Sequence, residues 1–305
     1  MSGEYGLVDP EGAETPGDAW EEIDVSDTAA DRLARQRDRE FTAFRDRLLD
    51  ADQFKAEGAV FDDATLAAIY KLVQDGHVVA FGGPISTGKE ASVFEALGPD
   101  DTDVAVKVYR VQASDFRRMR EYLEGDPRFS GIGRDRLEVI IAWTRKEFAN
   151  LQRAAAAGVR VPHPIAVQRN VLVMELIGEE DDHAPRLKDV EVENPGVAYE
   201  VVREYMRRLH AAGLVHGDLS EYNIVVYAGE LVIIDVGQAV TVHHPNAGEF
   251  LHRDCRNVAA FFDRLGVAAD ADELFEFVTT GERNEAAIAG GEDEPADGEA
   301  AGDGA

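Results

Sequence analysis

The chain has very little cysteine, no long apolar run and no basic residue near its start. A single thiol, Cys255, excludes a disulfide framework and a cysteine-based metal cluster. Its apolar stretches, such as Val171–Ile177 and Leu231–Val236, are far shorter than the roughly 20 residues that a membrane helix needs. Residues 1–31 contain no Lys or Arg, and no apolar segment follows Met1. We therefore expect no signal peptide, no membrane association and a cytoplasmic protein.

Basic residues are scarce, and lysine is especially so. The 305 residues contain 60 Asp and Glu against 31 Lys and Arg, a net charge of −29, and only six of the basic residues are lysines. Taken alone, such acidity disfavours nucleic acid as a partner. An acidic, lysine-poor surface is also expected of a protein dissolved in concentrated salt, where the Debye length falls to about 3 Å. We therefore predict a halophilic source, and in that setting the acidity says little about partners.

Composition divides the chain into two acidic tails and an ordered body. Residues 1–26 and 281–305 are rich in acidic and small residues, which predicts disorder. Apolar residues at helical spacing predict an N-terminal helix over residues 27–53. The body follows over residues 54–280, with a first lobe at about 54–177 and a second at about 178–280.

Within the body, strands dominate the first half and helices the second. The predicted strands lie at 78–82, 91–96, 104–109 and 171–177, with a late hairpin at 224–227 and 231–235. The predicted helices lie at 63–75, 136–157, 194–210, 248–265 and 270–279. This order predicts an α+β, bilobal fold, with an antiparallel sheet plus helix in the first lobe and a mainly helical second lobe.

The strongest functional signal is the sequence His-Gly-Asp-Leu-Ser-Glu-Tyr-Asn at residues 216–223, with Asp235 twelve residues further on. Phosphoryl transfer needs a carboxylate that accepts a proton and oxygen ligands that hold Mg²⁺ against the phosphates. The hairpin brings Asn223 and Asp235 to the same end of its two strands. The pattern resembles the catalytic loop and the metal-binding loop of protein kinases, which implies that Asp218 is the base and that Asn223 and Asp235 are the metal ligands.

A lysine lies inside an apolar strand, where burial is costly without an anionic partner. Lys107 occupies the fourth position of Val-Ala-Val-Lys-Val at residues 104–108. In a kinase-like lobe, which this segment resembles, such a lysine binds the ATP phosphates and a glutamate of the next long helix steadies it, so we predict Glu147 as its partner. Glu138 on the same helix is the alternative partner.

A glycine-rich segment at residues 82–92 nearly matches the P-loop pattern. Glu90, however, stands where a P-loop has the Ser or Thr that binds Mg²⁺, and a strand follows where a helix should begin. We predict instead a turn between two strands that covers the nucleotide phosphates. Its predicted cofactor-binding residues are Ser86, Thr87, Gly88 and Lys89.

A strand at residues 173–178 leads into an acidic segment between the two lobes. In a bilobal kinase, which this layout resembles, such a strand is the hinge, and the resemblance implies that backbone groups of Glu175 and Ile177 bind the adenine edge. The same residues are equally consistent with an ordinary core strand.

Four segments together carry a family resemblance. They are Ser-Thr-Gly-Lys-Glu-Ala at 86–91, Lys107, the segment at 216–223, and Ile-Asp-Val-Gly-Gln at 234–238. They resemble the RIO family of atypical serine/threonine protein kinases, in its first-type branch. The likeness covers about residues 54–280, so the body is identified as a RIO-type kinase domain. Together with the composition, it indicates a RIO kinase of a halophilic archaeon.

The resemblance implies a protein-kinase-like fold without an activation segment, and only about a dozen residues separate Gly237 from the next predicted helix. It implies ATP with Mg²⁺, or with Mn²⁺ as the alternative metal, and autophosphorylation on serine. It also implies an aspartyl phosphate at Asp235 and a role in late maturation of the small ribosomal subunit, whose rRNA and proteins would be the partners. The phosphoacceptor and the oligomeric state do not follow from it.

Two other functions stay open. Small-molecule kinases of the aminoglycoside and choline type also have a His-Gly-Asp-containing loop and lack an Ala-Pro-Glu segment, although the sequences at 86–91 and 220–222 argue against them. The second alternative is an assembly factor that is controlled by nucleotide binding and no longer catalyses a reaction. Against it, every position of the catalytic motifs carries the residue that catalysis needs.

Three further features are less specific. Residues 112–135 include Arg117, Arg118 and Arg120 and are predicted as a mobile loop that contacts RNA or accepts phosphate, with a solvated helix and turn as the alternative. The pair His243-His244 lacks a third ligand at zinc spacing and is predicted to lie at the surface or in packing. Cys255 lies among apolar residues and is predicted to be a packing residue.

Overall fold

The structure is a computed structural model that describes residues 61–111, 115–129, 132–133, 135–179 and 182–289. The predicted tail at 1–26, the predicted helix at 27–53 and residues 290–305 lie outside this part of the chain. Within the described part, no helix is both long enough and apolar enough to cross a bilayer.

The first lobe is built on a five-stranded antiparallel sheet in the order β1-β2-β3-β5-β4. Its strands are β1 Ala80–Thr87, β2 Ala91–Leu97, β3 Asp103–Tyr109, β4 Pro164–Gln168 and β5 Val171–Glu175. β3 is central: Val106 pairs with Phe94 of β2 on one side and with Val173 of β5 on the other. This position explains why β3 is apolar along nearly its whole length, since a central strand covered on both faces loses its polar alternation.

The two faces of β3 serve two different purposes. Val104, Val106 and Val108 belong to the core of the first lobe, whereas Tyr109 belongs to the core shared with the helical lobe. Because side chains alternate along a strand, Lys107 lies on the same side as Tyr109. The period of two therefore directs the lysine to the boundary between the lobes.

Helix α1, Asp63–Gln74, covers the outer face of the sheet with its buried residues. It begins at Asp62, whose side chain accepts a hydrogen bond from the Thr65 amide at 2.7 Å. Asn170 links helix and sheet, since its amide donates to Thr65 Oγ1 at 3.0 Å and to the Tyr109 carbonyl at 2.8 Å.

Two helices lie between β3 and β4. The first, α2, is Phe116–Glu124, and the second, α3, is Arg136–Ala156. α2 lies within the segment predicted to be a mobile loop. It buries Met119, Tyr122 and Leu123 against the core, so this part of the segment is a docked helix.

The second lobe is mainly helical, as predicted, and contains α4 Pro195–Ala211, α5 Ala247–Arg264 and α6 Ala271–Ala289. Two-residue strands pair as β6 Gly178–Glu179 with β7 Asp182–His183 and as β8 Leu214–Val215 with β11 Val240–Thr241. The hairpin is β9 Ile224–Tyr227 with β10 Glu230–Ile233. A 3₁₀ turn at Val236–Gln238 leads through β11 to α5, so the chain reaches this helix without an activation segment.

The structure differs from the sequence-based expectations in several places. β1 runs to Thr87, where residues 78–82 were expected, so the glycine-rich segment is mostly strand with bulges between Phe81 and Ser86. β4 was not predicted because it begins at Pro164, and a proline weakens the signal for a strand. The two-residue strands are too short to show a periodic pattern. α6 continues to Ala289, past the predicted start of the tail at 281, since Glu and Ala are good helix formers.

Leu66 offers a test of the first-lobe core, because it is 1% exposed and packs beneath the sheet. Leu66→Ala is expected to lower the free energy of unfolding by about 2–5 kcal/mol through lost burial and a residual cavity. The matched control is Leu265→Ala, since Leu265 is 39% exposed, and its cost should stay within about 0.5 kcal/mol. Denaturant unfolding of both variants in the same salt is the measurement, and equal losses would contradict the assignment of this core.

Candidate active site

The site is centred on the buried ammonium of Lys107. Its Nζ lies 2.6 Å from Oε1 of Glu147 on α3 and 2.9 Å from Oδ1 of Asp235 after β10. Burial alone would lower the pKa of Lys107, but the two carboxylates outweigh it and hold the pKa well above its ordinary value. The lysine is therefore charged, and it joins β3, α3 and the loop after the hairpin.

Glu147 is the partner that the sequence predicted for Lys107. It is 1% exposed, and its second oxygen accepts a hydrogen bond from the Tyr109 hydroxyl. Glu138 lies in the first turn of α3 and is exposed. The choice between these two glutamates is thus decided by which turn of the helix faces β3.

The predicted catalytic loop, residues 216–223, is held by a buried aspartate that sequence reasoning missed. Asp254 on α5 accepts hydrogen bonds from the amides of Gly217 at 2.7 Å and Leu219 at 2.9 Å, on either side of Asp218. Burial raises the pKa of Asp254 to about 7, against the lowering effect of these two donors. Its signal in the sequence is a charge at the buried position next to Cys255 on an otherwise apolar helix face.

His216 connects this loop to the end of β10. Its Nδ1 lies 3.3 Å from the Asp218 amide, which must donate, so the Nε2–H donates to the Ile234 carbonyl at 3.3 Å. Burial lowers the pKa of His216, which keeps the ring neutral in this tautomer. The imidazole therefore fixes the spacing between the loop of Asp218 and the strand that leads to Asp235.

The turn after β10 places Asp235 in a strained conformation. Asp235 has φ 60° and ψ 53°, in the left-handed region that residues other than glycine rarely adopt. Such strain persists where surrounding contacts determine it, and it concentrates at functional sites. Lys107 lowers the pKa of Asp235, so the carboxyl is ionised. Its side chain is 54% exposed.

Two side chains of α3 hold this turn from behind, and neither was predicted. Lys146 donates to the carbonyl of Gly237 at 2.8 Å and to that of Ala239, while Asn150 donates to the carbonyls of Val236 and Ala239 at 2.9 Å each. Burial lowers the pKa of Lys146 to about 7. The sequence did carry a signal for Lys146. Lysine is rare in this chain, and Lys146 lies next to Glu147 on a helix face that is buried.

The residues present fit a divalent cation. Asn223 donates through Nδ2 to the Asp218 carbonyl at 2.8 Å, so its amide oxygen is the side-chain atom that can bind a metal ion. The backbone ladder brings it close to Asp235, because the Ile234 amide donates to the Asn223 carbonyl at 3.0 Å. An ionised, half-exposed carboxylate and an amide oxygen at one strand end are the hard ligands that Mg²⁺ prefers.

The predicted phosphate-binding turn joins β1 to β2, as expected. Ser86 and Thr87 end β1, paired with Val93 and Ser92, so they are strand residues at the rim of the turn. The Gly88 amide donates to the Ala91 carbonyl at 2.9 Å, and a Cβ on Gly88 would lie 3.0 Å from that oxygen, which explains the glycine. Lys89 is exposed in the turn. Phosphate binding by these residues stays a prediction.

The predicted adenine-binding strand is β5 and its exit. The Glu175 amide is used within the protein, because it donates to the His163 carbonyl at 2.9 Å, and the Ile177 carbonyl accepts from Ala184 at 3.2 Å. The Glu175 carboxylate pairs with Arg160 at 2.5 Å. Adenine binding by backbone groups of Glu175 and Ile177 stays a prediction.

Two other predictions concern residues near the site. His244 is 4% exposed and lies 5.7 Å from the Phe250 ring, and no cluster able to hold a metal is found in the described part of the chain. Cys255 is fully buried, which raises the pKa of its thiol to about 12. His243 is exposed and His244 is buried, so the prediction that this pair lies at the surface or in packing is confirmed, and so is the packing role of Cys255.

Comparison with known proteins agrees with this geometry. The sequence profile of the RIO domain (RIO1) matches residues 92–274. The chain is 73% identical over 279 residues to the RIO-type serine/threonine-protein kinase Rio1 of Haloferax volcanii, covering 92% of this chain and 96% of that protein. It is 40% identical over 229 residues to the protein of the same name from Methanocaldococcus jannaschii, covering 75% of this chain and 78% of that protein.

Solved structures of the Rio2 kinase from Chaetomium thermophilum have a similar fold. One matches with a TM-score of 0.55 at 21% identity, over 87% of this chain and 88% of that one. The ADP/Mg²⁺-phosphoaspartate complex of the same kinase matches with a TM-score of 0.54 at 24% identity, over 74% of this chain and 70% of that one. At these identities the structural similarity shows a shared fold only, and it confirms the predicted bilobal kinase-like architecture.

Glu147 and Glu138 form a matched pair for testing the buried ion pair. Glu147→Gln is expected to lower the free energy of unfolding by about 3 kcal/mol. The reason is that the buried ammonium of Lys107 loses one of its two carboxylate partners and retains only Asp235. Glu138→Gln, at an exposed position, should change it by less than about 0.5 kcal/mol. Denaturant unfolding is the measurement, and identical stabilities would refute the pairing seen here.

Asp254 predicts a pH dependence of stability. With a pKa of about 7 in the folded chain against an ordinary 3.8, the folded state binds more protons between these values. The contribution of this carboxyl is therefore complete below about pH 4 and is lost as the pH rises through about 7. Relative to Asp254→Asn, the wild-type free energy of unfolding should fall by about 1.4 kcal/mol per pH unit in this window.

The control for this titration is Asp263→Asn, an exposed aspartate on the same helix. It should leave the pH slope of the wild-type protein unchanged. If Asp254→Asn also leaves the pH dependence of the free energy of unfolding unchanged, the Asp254 carboxyl does not titrate in this range.

Proposed function

This chain belongs to the RIO1 family of serine/threonine-protein kinases, and from that premise we propose that it transfers the γ-phosphoryl group of ATP, with Mg²⁺, to a serine hydroxyl or to water. The observation that carries the proposal is the ion-pair network of Lys107, Glu147 and Asp235 beside the loop of Asp218. A buried, charged lysine between two carboxylates is the arrangement expected where phosphate and metal charges must be balanced.

In the proposed reaction, Asp218 accepts the proton of the attacking hydroxyl while that oxygen bonds to the γ-phosphorus and ADP leaves. Lys107 binds the phosphates from the side of β3, and Ser86, Thr87, Gly88 and Lys89 cover them from the turn. Backbone groups of Glu175 and Ile177 bind the adenine. Asp254 and His216 act indirectly, since they position the backbone on both sides of Asp218.

Asn223 and Asp235 would hold the metal ion, Mg²⁺ or alternatively Mn²⁺. When bound, the ion neutralises the charge that develops on the phosphate oxygens. Asp235 must then share its carboxylate between the ion and Lys107, whose Nζ lies 2.9 Å from Oδ1.

The proposal extends to an aspartyl phosphate at Asp235. The carboxylate would attack the γ-phosphorus, ADP would leave, and water would later hydrolyse the acyl phosphate. Its ionised, half-exposed side chain supports this step, and a phosphoaspartate is named in the structure of the Chaetomium thermophilum Rio2 kinase. Turnover would in that case serve as a switch, with hydrolysis as the net reaction.

The proposed biological setting is late maturation of the small ribosomal subunit in the cytoplasm, with pre-ribosomal rRNA and proteins as partners. The family resemblance motivates this part. The direct path from the 3₁₀ turn at Val236–Gln238 to α5 also supports it, because a chain without an activation segment lacks the platform on which ordinary kinases dock peptides. A dedicated assembly therefore suits this site better than a broad range of protein substrates.

The proposal is tested by single-turnover ATP hydrolysis in multimolar KCl with Mg²⁺. Wild type, Asp218→Ala and Asp235→Asn are compared, with acid-stable and acid-labile phosphoprotein separated. We expect Asp218→Ala to fold and to lose turnover by at least about 1,000-fold, since both the base and its charge are removed. Acid-labile label should form in the wild type and be absent in Asp235→Asn.

Each outcome has a distinct meaning. Wild-type turnover in Asp218→Ala would refute the catalytic assignment. Label found only on serine would refute the aspartyl phosphate and retain the kinase. Turnover strongly stimulated by a small alcohol or an aminoglycoside would instead favour a small-molecule kinase, which the 73% identity to a Rio1 protein argues against.

A further inference from the structure

The side chain of Gln238 contacts the catalytic carboxylate directly. Its Nε2 lies 3.1 Å from Oδ2 of Asp218, while its Oε1 lies 3.1 Å from Nη2 of Arg118 on α2. The chemistry of the two neighbours settles the amide orientation, because a guanidinium can only donate and a carboxylate can only accept. Gln238 is thus a relay between Arg118 and Asp218.

We infer that Gln238 is a positioning residue for the catalytic base and that Arg118 sets its orientation from α2. This inference rests on the proposed role of Asp218. By donating to Oδ2, the amide fixes the rotation of the carboxylate and directs Oδ1 to the attacking hydroxyl. In the described part of the chain, no hydrogen bond to Oδ1 is found, so this oxygen is the one available to accept the proton.

The position of α2 is well enough defined to carry this role. The Tyr122 ring stacks on Phe250 at 5.0 Å and meets Trp143 edge-on at 5.9 Å. The Tyr122 hydroxyl lies 3.3 Å from Nη2 of Arg253, which also donates to the Gly217 carbonyl. α2 is therefore docked directly against the catalytic loop.

Arg118 and Tyr122 lie one helical turn apart, so they share a face of α2. Both reach the catalytic loop, one through Gln238 and the other through Arg253. Arg117 lies on a different face: its side chain is 92% exposed, and its carboxylate neighbour is Glu121 at 3.8 Å. The helix thus carries two adjacent arginines, of which one faces the catalytic base.

The alternative role for Arg118 is to bind the nucleotide phosphates directly. It is exposed, and its charge acts on Glu90 at the turn between β1 and β2, where it opposes the rise that burial causes in the pKa of that carboxyl. The two arrangements differ in their dependence on Gln238. A relay through Gln238 makes the effects of the two residues non-additive, whereas direct contact with phosphate makes them independent.

The test measures kcat and KM for ATP in the full-length protein with Mg²⁺. Gln238→Met keeps the side-chain volume and removes the donor, and Gln238→Glu replaces the donor with a carboxylate. Both are expected to lower kcat by about 10- to 100-fold, the value of a hydrogen bond to a charged group. KM for ATP should stay within about twofold, because Gln238 contacts the base and has no nucleotide contact in the proposal.

Arg118→Ala is expected to lower kcat by about tenfold, and the double variant Arg118→Ala/Gln238→Met should be no slower than Gln238→Met alone. Arg117→Ala is the matched control and should retain wild-type kcat. Unfolding midpoints of all variants establish that they are folded.

Wild-type kcat in both Gln238 variants would overturn the inference, and so would additive losses in the double variant. A rise in KM with unchanged kcat would also overturn it, since it would assign Gln238 to nucleotide binding. Asp218→Ala in the same series distinguishes failure of the proposed base from failure of the positioning role. Full turnover in Asp218→Ala would refute Asp218 as the base. Lost turnover in Asp218→Ala together with wild-type turnover in the Gln238 variants would refute only the positioning role of Gln238.

Discussion

The structure depends on one buried charge, the ammonium of Lys107. A lysine in the centre of a sheet is stable only with anionic partners, and here it has two, from different parts of the chain. Glu147 brings α3 against the sheet, and Asp235 brings the turn after the hairpin into the same contact. The need to neutralise this charge therefore sets the relative positions of the three elements that form the site.

Helix α3 serves both sides of that contact. One of its turns supplies Glu147 to the sheet and Lys146 to the turn after β10, and the next supplies Asn150 to the same turn. Lys146 and Asn150 between them bind the carbonyls of Val236, Gly237 and Ala239. This explains how the left-handed conformation of Asp235 is maintained, because the backbone that follows it is fixed from behind. The charge network and the backbone anchor are thus coupled through one rigid helix.

The predicted catalytic loop is fixed in a comparable way from the second lobe. Asp254 on α5 binds the amides on both sides of Asp218, and His216 binds the end of β10. α2 adds the third support through Tyr122 and Arg118. The proposed base therefore projects from a loop that is held by three helices or strands distant in sequence, which is the pre-organisation that phosphoryl transfer requires.

Some of this was determined by the sequence itself. The bilobal α+β order and the hairpin follow from periodicity, and the cost of burying a charge indicates that Lys107 needs an anionic partner; both are local properties that a single chain segment displays. That the partner is a glutamate of the long helix follows from the resemblance to a kinase lobe. The positions of Asp218, Asn223 and Asp235 follow from the spacing around the hairpin. The choice of Glu147 over Glu138 was predicted, and the structure explains it by the turn of α3 that faces β3.

Only the tertiary structure decided the supporting residues. Asp254, Lys146, Asn150 and Gln238 each lie 20 or more residues along the chain from the groups they position, so no spacing rule connects them. The docking of α2 was likewise decided by Tyr122, Trp143 and Phe250 meeting from three separate helices. Hydrogen bonds and ring contacts of this kind depend on three-dimensional distance, which the order of residues along the chain does not specify.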